Sequence, residues 1–171
     1  FAGRSGKRLN HLLESGGLKR ADVYVSNAVK CRPPNNRKPT AKELKTCRMW
    51  LAKELEAVRP RVVVAIGATA LQALGAKVKL AAHHGRALSY TFAAEGVTRE
   101  LLVVPMYRPA AGMRNPNVNR VLISDFRRLG EEIAGHTPEP FTVEVGIPQS
   151  KAILSQVAFD LETTAPRVGG R

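Results

Sequence analysis

Aromatic side chains are scarce in this chain of 171 residues: they make up 5% of it, with a single tryptophan. That scarcity argues against a nucleic-acid platform built only from stacked bases. Long apolar runs are also missing. Because a membrane helix needs about 18 or more consecutive apolar residues, we expect no membrane span. The sequence starts at Phe1 rather than at methionine, with no signal-like segment, so we expect a truncated amino terminus.

Cysteine and acidic residues are few as well. Cys31 and Cys47 are too few for a disulfide scaffold, so we expect a reduced, cytoplasmic chain, although one disulfide between them stays open. Asp and Glu number 14 against 27 Lys and Arg, which gives a net charge of +13. Such an excess favours a polyanionic partner, nucleic acid first, because basic side chains displace phosphate counterions. The basic residues form two groups: Lys30, Arg32, Arg37, Lys38, Lys42, Lys45 and Arg48, and then Arg114, Arg120, Arg127 and Arg128.

Apolar residues make up 44% of the chain, enough for one core. β-Branched and apolar runs predict strands near residues 23–29, 61–67, 88–92 and 101–104. Helical spacing predicts helices before Gly16, at 40–58, at 68–74 and at 115–134. Thr40 and Glu43 have capping-box spacing, and Asn115 is the expected N-cap of the last helix. Alternating strands and helices indicate an α/β/α architecture with a short, mainly parallel central sheet.

The domain organisation follows from changes in composition. Residues 1–135 are predicted to form the main domain, with residues 105–116 as a loop. Residues 136–150 are predicted to be a linker with an edge strand, and residues 151–171 to begin a second, incomplete α/β domain.

The most distinctive segment is CRPPNNRKPTAKELKTC, in which 15 residues separate Cys31 from Cys47. Two thiolates so placed suit a soft metal or an iron–sulfur cluster, but either needs two more ligands. The residues alone leave other interpretations open: a zinc site, or a Cys47 that is only a buried apolar residue.

The run FAGRSGKRLNHLLESGGLKRADVYVSNAVKCRPPNNRKPTAKELKTC resembles the family 4, iron–sulfur uracil-DNA glycosylases, and the similarity continues to about Ala134. The resemblance implies a monomeric DNA-repair domain that hydrolyses the N-glycosidic bond of flipped deoxyuridine. It implies that Cys31 and Cys47 supply half of a [4Fe–4S] cluster of structural rather than redox function. The family's other two cysteines and its first motif lie upstream, in sequence that this chain lacks.

The resemblance also implies roles for pocket residues. Phe1 matches the aromatic residue on which uracil stacks, and Asn27 matches the asparagine that reads its Watson–Crick edge. Arg86 would contact phosphate, and Arg114 and Asn115 of the RNP loop would contact DNA.

The sequence departs from the family at one catalytic position. Arg108 stands where the family has a histidine that stabilises the departing uracil anion. Arginine is a permanent cation with several donors and suits the same electrostatic role. The exchange also leaves open an inactive DNA-binding module that tethers a DNA polymerase to its template.

The segment FDLET places Asp160 and Glu162 on one face of a predicted strand. It resembles the first motif of DnaQ-like 3′–5′ exonucleases, including those of bacteriophage family A DNA polymerases. The resemblance implies Mg²⁺ or Mn²⁺ at these carboxylates once such a domain is complete.

Overall fold

A computed structural model describes residues 3–135 and the backbone of residues 156–159. No helix in these ranges is long and apolar enough to cross a membrane. Short 3₁₀ turns lie at Arg20–Asp22 and Pro34–Asn36. In chain order, the described elements are α1 (Arg4–Ser15), β1 (Val23–Ser26), α2 (Ala41–Val58), β2 (Val62–Ile66), α3 (Ala68–Leu74), α4 (Leu80–His83), β3 (Leu88–Ala94), β4 (Val97–Met106), α5 (Pro109–Arg114), α6 (Pro116–Gly135) and β5 (Gln156–Phe159).

The strands form a single sheet in the order β1-β5-β2-β4-β3. β1, β5, β2 and β4 are parallel, and β3 alone pairs antiparallel, with β4. The register places Ile66 of β2 opposite Met106 of β4, so both strands end at the same level. The predicted mixed α/β fold with a mainly parallel central sheet is therefore confirmed.

Every residue of β2 is buried, because this strand has helices on both faces. Alternate side chains point to opposite faces of a strand. Val63 and Ala65 pack in one core with residues of α2 and α3. Val62, Val64 and Ile66 pack in a second core with residues of α1 and α6. The unbroken apolar run that predicted a fully buried strand reflects these two cores.

The predicted helix starts are confirmed in detail. The Glu43 amide donates to Thr40 Oγ1 at 3.2 Å, and the Thr40 amide donates to Glu43 Oε2 at 2.7 Å, which completes the capping box. At α6, the Asn115 Oδ1 accepts from the amides of Asn117 at 2.9 Å and Val118 at 3.4 Å. Both α2 and α6 therefore begin at a residue whose side chain accepts hydrogen bonds from the unpaired backbone amides of the first helical turn.

Glu43 also anchors the loop before α2, because Arg37 donates to both of its carboxylate oxygens at 2.7 and 2.8 Å. These bonds, followed by the Thr40 amide, lower the pKa of Glu43 from 4.5 to about 2. The ionised form is therefore favoured by folding, so its stabilisation is present above pH 4.5 and is lost as the pH falls towards 2.

We expect Glu43→Gln to destabilise the protein at neutral pH, because the amide cannot pair with Arg37 in the same way. The difference from the wild type should shrink as the pH falls from 4.5 towards 2, as the wild-type carboxylate becomes protonated. Urea unfolding of both proteins across this range measures the difference. A difference that is constant with pH would contradict the assigned pairing.

The segment after α3 differs from its prediction in two ways. The strands predicted at 88–92 and 101–104 are longer and form one hairpin, β3 and β4. Glu95 and Gly96 form its turn and have positive φ angles of 51° and 76°, which matches the twist of paired strands. The prediction of an uninterrupted loop at 105–116 was wrong, because Pro109–Arg114 forms α5. Proline at the first helical position favours this short helix.

β5 comes from the region in which the sequence predicts a second domain. Its four residues hydrogen-bond to β1 on one side and to β2 on the other. A strand at this place pairs backbone groups of both neighbours that would otherwise need other partners. Residues 136–155 and 160–171 lie outside the described residues, so the linker and the second domain stay predictions.

α1 and α6 touch through glycines. A Cβ on Gly130 would lie 1.8 Å from the carbonyl oxygen of Gly16, and a Cβ on Gly16 would lie 2.2 Å from the carbonyl oxygen of Phe126. The opposing atoms are backbone, so a side chain at either position requires one helix to move.

We expect Gly130→Ala to lower the free energy of unfolding by about 1–3 kcal/mol, the usual range for overpacking, although alanine is the better helix former. Gly135→Ala is the matched control, because nothing lies within 4 Å of a Cβ at this helix position. Urea unfolding measures both variants. Equal stability of the two variants would contradict the tight contact between the helices.

Candidate functional site

The carboxyl ends of the parallel strands form one edge of the sheet. Asn27 follows β1, Gly67 follows β2, and Arg108 lies two residues after β4. Ser26 and Ala65 pair with the same residue of β5, so β1 and β2 also end at nearly the same level. Ligands of parallel α/β proteins usually bind at this edge. The fold therefore brings Asn27 and Arg108 to the expected end of the sheet.

Asn27 carries an unsatisfied acceptor. Its side-chain Oδ1 is buried and has no hydrogen-bond partner among residues 3–135. Leaving a buried polar atom unpaired costs about 1–3 kcal/mol, so native structures rarely keep one without a reason. An acceptor in this state, at the edge where ligands bind, is suited to a donor supplied from outside the chain.

The turn that carries Asn27 is held by a carboxylate of α2. Glu54 accepts hydrogen bonds from Ser26 Oγ at 2.9 and 3.0 Å and from Tyr24 OH at 3.2 Å. Lys30 Nζ lies 2.6 Å from Glu54 Oε2 and also donates to the Asn27 carbonyl at 2.9 Å. We call these four side chains, Tyr24, Ser26, Lys30 and Glu54, the Glu54 clamp. Burial, followed by the charge of Glu54, raises the pKa of Tyr24.

Arg108 lies over Gly67. A Cβ on Gly67 would be 2.9 Å from Arg108 Nε and 3.1 Å from its Cγ, so only glycine leaves full room for this side chain. Gly67 also has a φ of +85°, which glycine adopts at no steric cost. The half-buried Arg108 guanidinium makes no hydrogen bond or ion pair with residues 3–135. It is therefore a cation fixed by packing but free to pair with a ligand.

A second polar group was missed by the sequence analysis. The buried Asp125 of α6 accepts a 2.8 Å hydrogen bond from His84 Nδ1. The His84 ring lies 5.0 Å from the Tyr107 ring, next to Arg108. A sequence pattern could have revealed this pair, because Asp125 interrupts the apolar face of α6 between Leu122 and Phe126. Its charged group there requires a partner from another element.

The two cysteines are free thiols. Cys31 is exposed and Cys47 is half-buried, and the backbone amide of Lys30 lies 3.5 Å from Cys47 Sγ. Because Lys30 precedes Cys31, this contact brings the two cysteines into the same neighbourhood. No group of three or more potential metal ligands occurs among residues 3–135. The described residues thus offer two cysteine ligands in one neighbourhood and no group of three.

The other residues predicted to contact DNA lie just before β3 and after β4. Arg86 is exposed and follows Gly85, where an added Cβ would lie 2.2 Å from Asp125 Oδ1. Arg114 is exposed at the end of α5. Asn115 is exposed too, but its Oδ1 is used to cap α6, which leaves only its NH₂ group for another partner. Arg8 of α1 donates to Asn119 Oδ1, which joins α1 to the start of α6.

The profile of the uracil DNA glycosylase superfamily matches residues 1–127. The chain belongs to the uracil DNA glycosylase superfamily. This membership supports a uracil-DNA glycosylase-like role in DNA repair.

Individual members of the superfamily are similar over most of this chain. The type-4 uracil-DNA glycosylase of Archaeoglobus fulgidus is 37% identical over 142 residues, 82% of this chain and 71% of the relative. That of Saccharolobus solfataricus is 36% identical over 148 residues, 84% of this chain and 66% of the relative. The DNA polymerase of Bacillus phage SP01 is 28% identical over 180 residues, which cover 95% of this chain and 19% of the polymerase.

The structure shows the position of some of the predicted site residues of this glycosylase-like domain, while others lie outside the residues that it describes. Asn27 and Arg108 share the carboxyl edge of the sheet, and the turn of Asn27 reaches Cys47 through Lys30. Phe1, Asp160 and Glu162 lie outside the described residues.

Proposed function

We propose that this glycosylase-like domain hydrolyses the N-glycosidic bond of deoxyuridine flipped out of DNA. Water adds to C1′ of the sugar, the C1′–N1 bond breaks, and uracil leaves with the bonding electron pair and takes up a proton. The observation that carries the proposal is the buried Oδ1 of Asn27 at the same sheet edge as the Arg108 guanidinium, both without a hydrogen-bond partner among residues 3–135.

Asn27 is proposed to read the base. Uracil presents an N3–H donor next to its O4 acceptor, and a side-chain amide presents the complementary acceptor and donor. The unsatisfied Oδ1 of Asn27 would accept from N3–H, and its NH₂ group would donate to O4. Phe1 is proposed to stack on the flipped base, as the resemblance implies.

Arg108 is proposed to stabilise the uracil anion as it departs. Negative charge on the base oxygens grows as the glycosidic bond breaks, so a fixed cation near them binds the transition state better than the substrate. The Arg108 side chain is packed on Gly67, and its guanidinium has no partner to give up among residues 3–135. Both conditions favour a preorganised donor.

Cys31 and Cys47 are proposed to supply two thiolate ligands to a [4Fe–4S] cluster. The donor set fits half of such a group: two free thiols in one neighbourhood, one of them next to a backbone N–H. When bound, the cluster would supply a structural cross-link between the loop at Cys31 and α2. Iron analysis of anaerobically purified full-length protein distinguishes it from zinc or from free thiols.

The positive charge of the chain is proposed to bind the DNA backbone. Arg86 and Arg114 are exposed near the site, and the net charge of +13 exceeds what a solvated surface alone requires. Asn115 is proposed to add a contact through its NH₂ group. DNA affinity should therefore fall steeply with salt.

The direct test uses full-length protein and oligonucleotides with a single uracil, in single- and double-stranded form. Alkali cleaves the abasic product, so excision appears as a shorter strand on a gel. The proposal predicts cleavage at uracil and none at thymine in the same position. Tight, salt-sensitive DNA binding without cleavage would instead support the second candidate function.

That second candidate is a DNA-binding module that tethers a DNA polymerase to its template. The similarity to the phage DNA polymerase favours it, because the match covers 95% of this chain. In this proposal the domain is part of a larger replication protein. Asp160 and Glu162 would then hold Mg²⁺ or Mn²⁺ in a complete 3′–5′ exonuclease domain.

A further inference from the structure

The turn between β1 and the cysteine loop has little regular structure to hold it. β1 ends at Ser26, and no helix or strand occurs again before the short 3₁₀ turn at Pro34–Asn36. Asn27 lies at the start of this turn, and its Oδ1 makes no hydrogen bond to the described part of the chain that would fix the side chain. Its position must therefore be set by its backbone neighbours.

The Glu54 clamp supplies these constraints on both sides of Asn27. On the amino-terminal side, the Ser26 hydroxyl donates to both Glu54 oxygens at 2.9 and 3.0 Å. On the carboxyl-terminal side, Lys30 Nζ lies 2.6 Å from Glu54 and donates to the Asn27 carbonyl at 2.9 Å and to Ser26 Oγ at 2.7 Å. A single carboxylate on a rigid helix thus fixes the residue before Asn27 and the carbonyl of Asn27 itself.

The groups of the clamp that hold the turn are largely shielded from water. Ser26 is buried, and the side chains of Lys30 and Glu54 are 25% and 22% exposed, so water competes poorly for their hydrogen bonds. The ion pair of the same helix between Glu56 and Arg99 is more open, since Glu56 is 44% exposed, and it does not touch the turn. Glu56 is therefore a matched comparison for Glu54.

We infer that Glu54 is a positioning residue for base recognition: through Ser26 and Lys30 it holds the Asn27 amide in its reading orientation. The inference rests on the proposed function of Asn27. Glu54 itself does not touch the base. Loss of its carboxylate should loosen the amide while the sheet and both cores stay intact, because none of the four clamp side chains belongs to either hydrophobic core of the described residues.

Single-turnover uracil excision by the full-length protein tests the inference. We expect Glu54→Ala to lower the excision rate about 10- to 100-fold, since a misplacement of about 1 Å in a site has effects of this size. Glu56→Ala should stay within about twofold of the wild type. Glu54→Gln, which can still accept from Ser26 but cannot pair with the Lys30 charge, should recover part of the rate.

A double-mutant cycle separates positioning from general damage to the fold. In an Asn27→Ala background the amide is already gone, so adding Glu54→Ala should cost less than about a further twofold. If Glu54→Ala lowers the excision rate about 10- to 100-fold in the Asn27→Ala background as well as in the wild type, the inference is overturned. Equal losses in Glu54→Ala and Glu56→Ala would overturn it too.

A measurement without turnover decides the inference even if the protein does not excise uracil. The ¹⁵N–¹H heteronuclear NOE of the Asn27 side-chain amide should fall in Glu54→Ala and stay at the wild-type value in Glu56→Ala. An unchanged NOE in Glu54→Ala would overturn the positioning role. A wild type that gives no abasic product would overturn the proposed function separately, whatever the NOE shows.

Discussion

Asn27→Ala is expected to lower the rate of uracil excision about 100- to 1,000-fold, the loss typical of a preorganised hydrogen-bonding group in an active site. At the same time it should not lower the melting temperature. The Asn27 Oδ1 is buried and accepts no hydrogen bond from the residues that the structure describes, so its removal takes away an unfavourable group rather than an internal hydrogen bond. Single-turnover excision and thermal unfolding of the same preparation measure both effects.

The opposite result would identify Asn27 as a structural residue. In that case Asn27→Ala would melt at a lower temperature and excise uracil at the wild-type rate. Asn35→Gly is the control for the effect of losing an amide, because Asn35 is exposed in the cysteine loop and glycine adopts its positive φ of 54° without strain. It should leave the excision rate unchanged.

Arg108→Ala is expected to reduce the rate of excision by a similar factor of about 100 to 1,000. It removes the cation proposed to stabilise the departing uracil anion, as an oxyanion hole stabilises a developing oxyanion. Arg108→Lys should retain an intermediate rate, since lysine keeps the charge but loses the planar fork of donors. Arg108→His tests whether the histidine that the family resemblance implies at this position works in this pocket. Single-turnover rates at saturating enzyme separate these effects from DNA affinity.

Arg114→Ala is the matched control for charge. Arg114 is exposed at the end of α5. Its removal should lower the affinity for DNA and make that affinity less dependent on salt, while the single-turnover rate at saturating enzyme stays unchanged. If Arg108→Ala behaves in the same way as Arg114→Ala, Arg108 binds DNA backbone rather than the leaving group.

Local signals predicted the main elements well because those elements depend on nearby residues. The Thr40–Glu43 box fixed the start of α2, and Asn115 with Pro116 fixed the start of α6. The β3–β4 hairpin was missed because its turn depends on positive φ at Glu95, which is unusual for that residue type. The place of β5 depends on pairing between residues far apart in the chain, which no local pattern encodes.

The candidate site was predictable only in part. The resemblance identified Asn27 and Arg108, and the structure brings both to one sheet edge. Glu54 and His84 gave no comparable signal, because their importance lies in contacts across 24 and 41 positions of sequence. Isolated polar residues on a helix are usually solvated, and only the fold shows which of them face another element.

The glycine contact between α1 and α6 has a consequence for the distant end of α1. This helix is 12 residues long, about 18 Å, and its other half is fastened to the start of α6 by Arg8 and Asn119. A substituent at Gly130 that tilted α1 by about 5° about its carboxyl end would sweep the opposite end through about 1.5 Å, a distance that follows from the helix rise. The contact between Gly16 and Gly130 therefore acts as a pivot, because a side chain at Gly130 can displace the amino-terminal end of α1, about 18 Å away.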